Sequence, residues 1–152
     1  MESIIKLAKM KNLEIIEEFN NQYVDFCREL DPTIKKEKVE YHNIKKCLKQ
    51  KGGQFLVIEV DKQIVGCCFA EIRKHYDWSI NEKVGEIHFM FVKKKFRGNQ
   101  LAVKLIQSCM DWFDENRIKE IRIGAYANNK HALDLYRKFG FKEYAINLKI
   151  IK

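Results

Sequence analysis

A chain of 152 residues that is 46% apolar and 12% aromatic has the bulk for one core, and its single proline, seven glycines and lack of biased runs exclude disordered and collagenous classes. The net charge of +8, from 29 Lys and Arg against 21 Asp and Glu, allows an anionic partner. The basic residues collect on no single predicted helix with interleaved aromatics, so nucleic-acid binding is not expected.

The cysteines (Cys27, Cys47, Cys67, Cys68, Cys109) are odd in number and form no CxxC. With no leader in view, that argues for reduced thiols and a cytoplasmic location. His42, His75, His88 and His131 lie far from one another and from cysteine at zinc spacing, so no metal is expected. No apolar run is long enough to cross a membrane.

Ser3 to Ala8, with Ile4, Ile5 and Leu7, reads as a first strand. From Leu13 to Leu30 the apolar residues recur at three and four, the period of an amphipathic helix, with Asn12 as a possible N-cap. Asp31-Pro32 ends it. A second helix is predicted from Lys35 to Lys49, stopped by Gly52-Gly53. Phe55–Val60 and Gln63–Ile72 form a hairpin around Asp61-Lys62. A polar and aromatic loop spans 73–82, and Val84–Val92 is the next strand. A basic loop, Lys93 to Asn99, leads into a helix from Leu101 to Asn116 with Leu101, Leu105, Cys109, Trp112 and Phe113 as its stripe. Ile118–Ala125 reads as a strand, Asn129–Phe139 as a helix and Phe141–Ile150 as a last strand. The order β-α-α-β-β-β-α-β-α-β, without linker or repeat, predicts a single domain over 1–152. Its fold class is α/β: a mixed sheet, mostly antiparallel, flanked by about four helices, with the strands at 84–92 and 118–125 parallel across a helix.

Three segments offer chemistry. In Val92 to Ala102 a strand runs through a basic loop into a helix. Free N–H groups at a helix start bind phosphate oxygens, although an ordinary connection with solvated lysines explains the segment equally well. Neither a Walker A loop nor GxGxxG is present. In Asn129 to Phe141 a capped helix ends on Gly140 and carries Tyr136, either an amphipathic packing residue or a phenol placed to donate a proton. In the strand Glu86 to Val92, period two puts Glu86, His88, Met90 and Val92 on one face and Ile87, Phe89 and Phe91 on the other. Glu86 in an apolar strand suits a general base, or is a strand-edge glutamate in water; His88 is a base, a hydrogen-bond partner or a satisfied histidine.

These segments resemble the GNAT superfamily of N-acetyltransferases. Arg97-Gly98-Asn99-Gln100-Leu101-Ala102 is similar to the family's R/Q-x-x-G-x-G/A, with Gln100 in the place of its first glycine. Asn129, Ala132, Leu135, Tyr136, Gly140 and Phe141 match its N-x-x-A-x-x-L-Y-x-x-x-G-F. The resemblance implies a splayed parallel strand pair and acetyl-CoA as co-substrate, held by N–H groups from Arg97 to Ala102, by the strand end Met90, Phe91 and Val92, and by Asn129. It implies further that an N–H near Met90 polarises the thioester, that Tyr136 protonates the departing thiolate and that Glu86 is the general base.

The expected acceptor is a primary amine attacked in a ternary complex. Residues 12–40 hold eight acidic side chains against four basic ones, which suits a small cationic amine of aminoglycoside or polyamine type, with Asp25 and Glu29 as candidate contacts. Tyr76, Asp77 and Trp78, and His88, are further candidates. The alternatives are a protein or peptide acetyltransferase, lysine or N-terminal, and a non-catalytic acyl-CoA sensor. A homodimer is possible, with no segment marking its interface.

Overall fold

The computed structural model describes residues 1–152. One five-stranded sheet runs in the order β1 (Ile4–Leu7), β2 (Gly53–Val60), β3 (Gln63–Lys74), β4 (Lys83–Val92), β5 (Ile121–Ile123). Neighbours are antiparallel except β4 and β5, which are parallel. The mixed fold class expected from the sequence is therefore found.

Helices α1 (Leu13–Leu30) and α2 (Ile44–Lys49) cover one face, and α3 (Leu101–Glu115) and α4 (Lys130–Lys138) the other. The α1 face buries Ile16 and Phe19 against Phe55, Val57, Phe69, Phe89 and Phe91. The α3 face buries Leu101, Leu105, Ile106, Cys109 and Phe113 against Leu56, Cys68, Ala70 and Ile87. Both sets follow from the helical period of three and four meeting the strand period of two. Phe113 packs so closely that a Cβ on Gly85 would lie 2.6 Å from its ring, so only glycine fits at that point of β4.

Four expectations are corrected. The second helix does not begin at Lys35 but at Ile44, because Arg28 donates to the carbonyls of Lys35 and Glu37 and holds that stretch open. Asn43 then caps the helix, accepting from the Lys46 N–H at 2.9 Å. Asn12 does not cap α1; its side chain accepts from the Lys9 N–H instead. β5 covers only 121–123 rather than 118–125, since its neighbour diverges beyond Ile123.

The predicted strand at 141–150 is absent. After Phe141 no backbone group bonds to another, and every residue from 142 to 152 is exposed. Arg137 pairs with Glu143, the Arg122 guanidinium lies 4.9 Å from the Tyr144 ring centroid, and Lys149 donates to Asp31 and Thr33.

Candidate active site

The site begins with a bulge. β3 and β4 run in register from Phe69 opposite Phe89 to Ala70 opposite Ile87, which leaves His88 as an extra residue on β4. An inserted residue reverses the alternation beyond it. Ile87 therefore joins the α3-side core while Phe89 and Phe91 join the α1-side core. This corrects the expected faces: Glu86 is not on the face of Met90 and Val92.

The bulge builds a cluster. Glu71 and Glu86 are cross-strand partners. The His88 Nε2 lies 2.6 Å from Glu71 and 3.4 Å from Glu86. Ionised carboxylates only accept, so Nε2 is the donor of this ring. Arg73 pairs with the other oxygen of Glu86, and Gln50 donates to Glu71. Both carboxylates are largely covered, while a third of the His88 side chain faces solvent. Three potential metal ligands thus converge here, with Arg73 pairing one of them.

A cleft adjoins the cluster, lined by Glu86, Ile87, His88, Arg122, Ile123 and Gly124. It exists because β4 and β5 pair only from Gly85–Ile121 to Ile87–Ile123 and then part. From His88 to Val92, β4 has no neighbour on its β5 side, so Met90, Phe91 and Val92 border an open seam.

The basic loop lies at the end of that strand. The Arg97 side chain folds back, donating to the Val92 carbonyl at 2.9 Å and lying over the Phe91 ring. The Arg97 N–H is engaged by the Lys94 carbonyl. From Gly98 through Val103, by contrast, no backbone N–H donates to any protein acceptor, and no acidic side chain occupies the first turn of α3. This run is one residue displaced from the expected 97–102. It includes the N–H groups of Asn99, Gln100, Leu101 and Ala102 at the positive end of a fifteen-residue helix, the arrangement that suits a pyrophosphate. Gln100 has φ 59°, the left-handed region in which glycine is unstrained. The residue that departs from the motif therefore adopts the backbone conformation glycine would take.

On α4, the Asn129 side chain accepts from the Ala132 N–H at 3.2 Å and caps the helix, leaving its amide N–H₂ unpartnered. Tyr136 is half-buried against the α3-side core and its hydroxyl bonds to no protein group. Burial, and then the Cys68 thiol, push its pKa up to about 12, so it keeps its proton at neutral pH.

The acceptor candidates are dispersed. Asp25 pairs with Arg28 and shares a surface hollow with Lys36 and Lys38, which offsets the acidic excess of this segment; Glu29 is exposed. Neither bonds to the β4 cluster. Tyr76 and Trp78 stack at 5.2 Å and are exposed, and Asp77 pairs with Lys74. Arg73 links this loop to the cluster, since its guanidinium lies 5.7 Å from the Tyr76 ring centroid while pairing with Glu86.

A family model described as acetyltransferase (GNAT) matches residues 13–141. The chain belongs to the GNAT family. An uncharacterized N-acetyltransferase of Methanocaldococcus jannaschii is 28% identical over 149 residues, covering 93% of this chain and 63% of its own. The chain thus spans under two thirds of that curated relative. An N-alpha-acetyltransferase of Sulfurisphaera tokodaii is 26% identical over 119 residues, 72% of this chain and 69% of its own. Among solved structures, the tetramutant of the BH1408 protein from Bacillus halodurans superposes with a TM-score of 0.87 at 13% identity, covering 98% of this chain and 99% of that one. An aminoglycoside antibiotic 6'-N-acetyltransferase from Acinetobacter haemolyticus does so with 0.72 at 21%, covering 98% and 97%. These two show the GNAT fold.

Several residues of this GNAT chain beside the cleft were not singled out by sequence. Glu71 and Arg73 sit on β3, opposite Glu86 and Val84, so the strand register was the signal needed. Tyr23, Tyr41 and His42 form an aromatic group against Phe89, and the Tyr41 hydroxyl bonds to that of Tyr126 at 2.8 Å. Burial, aided by the charge of His88, lowers the His42 pKa to about 4, so its ring is neutral.

Proposed function

We propose that the protein transfers the acetyl group of acetyl-CoA to a primary amine by direct attack in a ternary complex. The observation that carries this reading is the unbonded N–H run from Gly98 to Val103, set where β4 leaves the open seam. Acetyl-CoA supplies an activated thioester carbonyl. The N–H run would hold its pyrophosphate, Met90 to Val92 would pair with the pantetheine arm, and Asn129 would contribute its free amide N–H₂.

Glu86 accepts a proton from the acceptor's ammonium group, and the free amine so formed attacks the thioester carbonyl; His88 is the alternative base. The position of Glu86 on the cleft wall, with the His88 ring 3.4 Å away and hydrogen-bonded to Glu71, supports that role. An N–H near Met90 polarises the carbonyl, and Tyr136 gives its proton to the leaving thiolate. The residues need hold the reactants only in line and in contact, since proximity contributes much of the rate.

The acceptor we favour is a small cationic amine, drawn by Glu86 on the cleft wall and Glu71 beside it and stacked by Tyr76 and Trp78. A peptide N-terminus is a second reading, favoured by the Sulfurisphaera tokodaii relative. Calorimetry with acetyl-CoA, followed by thiol release with spermidine, an aminoglycoside and short peptides, tests both. Micromolar binding competed by CoA, with turnover of a polyamine or aminoglycoside, is expected. Turnover of peptides alone would move the acceptor to the second reading, and absence of binding would overturn the reading as a whole.

A further inference from the structure

We propose that Arg73 is a resident cation in the acceptor subsite, holding the place of the acceptor's ammonium group on Glu86 and setting how tightly a cationic amine binds. The inference rests on the acceptor reading given above and deepens it. The side chains assigned there to the amine are already occupied, and by a group of the same charge.

The Arg73 guanidinium donates from Nη2 to the Glu86 Oε1 and lies 5.7 Å from the centroid of the Tyr76 ring. A carboxylate and an aromatic face are the two features with which a cationic amine pairs. The second oxygen of Glu86, Oε2, faces the His88 Nε2 at 3.4 Å. Glu86 therefore meets the cleft with both oxygens engaged, and an incoming ammonium must displace one partner.

Of the two, Arg73 is the partner free to leave. The His88 ring is held by Glu71 at 2.6 Å and stacks on Phe69 with centroids 5.9 Å apart. Beyond Glu86, Arg73 makes one hydrogen bond, at 3.2 Å to the carbonyl of its neighbour Lys74. A third of its side chain faces solvent, at the end of β3. The need for a cation is built into the strands, since Glu71 and Glu86 stand directly opposite, where like charges repel. An ammonium that displaces Arg73 restores the positive charge it removes. A neutral molecule offers nothing in exchange for the ion pair, so Arg73 stays on Glu86 and the carboxylate stays closed to it. The exchange thereby selects for cations.

Calorimetric titration of the full chain with spermidine and with kanamycin, in saturating CoA so that no acetyl group is present, tests this. Arg73→Met should bind at least one of them about fivefold more tightly than the wild type, the upper scale of one surface ion pair. Arg73→Lys, which keeps a cation there, should stay within about twofold of the wild type. In thiol-release assays with acetyl-CoA, the methionine variant should lower the amine KM by the same factor with kcat not reduced. Damage to the fold loses affinity, so a gain is a readout that a merely structural role does not produce. Arg73→Gln repeats the comparison, so that a folding defect in the methionine variant does not decide it. Binding by Arg73→Met and Arg73→Gln no tighter than the wild type would overturn the proposal, as would an equal gain in Arg73→Lys. If the wild type still turns over the amine, only this inference falls; if no variant binds either amine, the acceptor reading falls with it.

Discussion

His88 shows how much one inserted residue decides. Without the bulge, Glu86 would share a face with Met90 and Val92, and Ile87 would join Phe89 and Phe91 in the α1-side core. The residue-scale prediction concerns the two proton-handling groups. Tyr136→Phe should lower kcat by about 100- to 10,000-fold, the usual scale for one proton-transfer group, with acetyl-CoA affinity by calorimetry unchanged. Glu86→Gln should remove the acidic limb of the pH–rate profile; a limb that persists would pass the base role to His88. Cys68 and Cys109, whose sulfurs lie 3.5 Å apart, need no catalytic role: mutual hydrogen bonding and burial raise the Cys68 pKa and keep that thiol protonated.

Among the elements, α3 concentrates the most consequence at its first turn. Gln100 holds a left-handed conformation that costs a residue with a Cβ about 1 kcal/mol. Gln100→Gly should therefore raise unfolding free energy by roughly 0.5–1 kcal/mol in urea melts. It should leave acetyl-CoA binding intact or tighter, since the N–H run stays in place. A destabilised variant would mean that the glutamine side chain makes contacts outweighing the strain. The helix itself was legible, because its stripe at Leu101, Leu105, Cys109 and Phe113 is buried as the spacing requires. The helix expected from Lys35 was not, because the guanidinium of Arg28, seven to nine residues away, satisfies its carbonyls.

At the level of the whole molecule, polar ties fasten the 75–82 loop to β5. Glu120 accepts from Arg122, Asn81 and His75, which lowers its pKa from 4.5 to about 2, the Arg122 bond contributing most. The unfolded chain then binds this proton at a higher pH than the folded one. The stabilisation is present above pH 4.5 and is lost as pH falls towards 2. The urea midpoint should accordingly fall over that window, and Glu120→Gln should flatten the part that belongs to this carboxylate. Equal acid slopes in the two proteins would show that Glu120 contributes nothing to it.

The sequence by itself determined the class of fold, the helices at 13–30 and 101–115, the hairpin and the family, because periodicity and the motifs at 97–102 and 129–141 are local properties of the chain. Only the tertiary structure decided the bulge at His88, the partnership of Glu71 with Glu86, and the free N–H run beginning at Gly98 rather than Arg97. It also decided the fate of residues 141–150. Their alternation is that of a strand, and a strand needs an edge to pair with. Pairing is set by what lies beside a segment in space, and no local pattern states which edge supplies it.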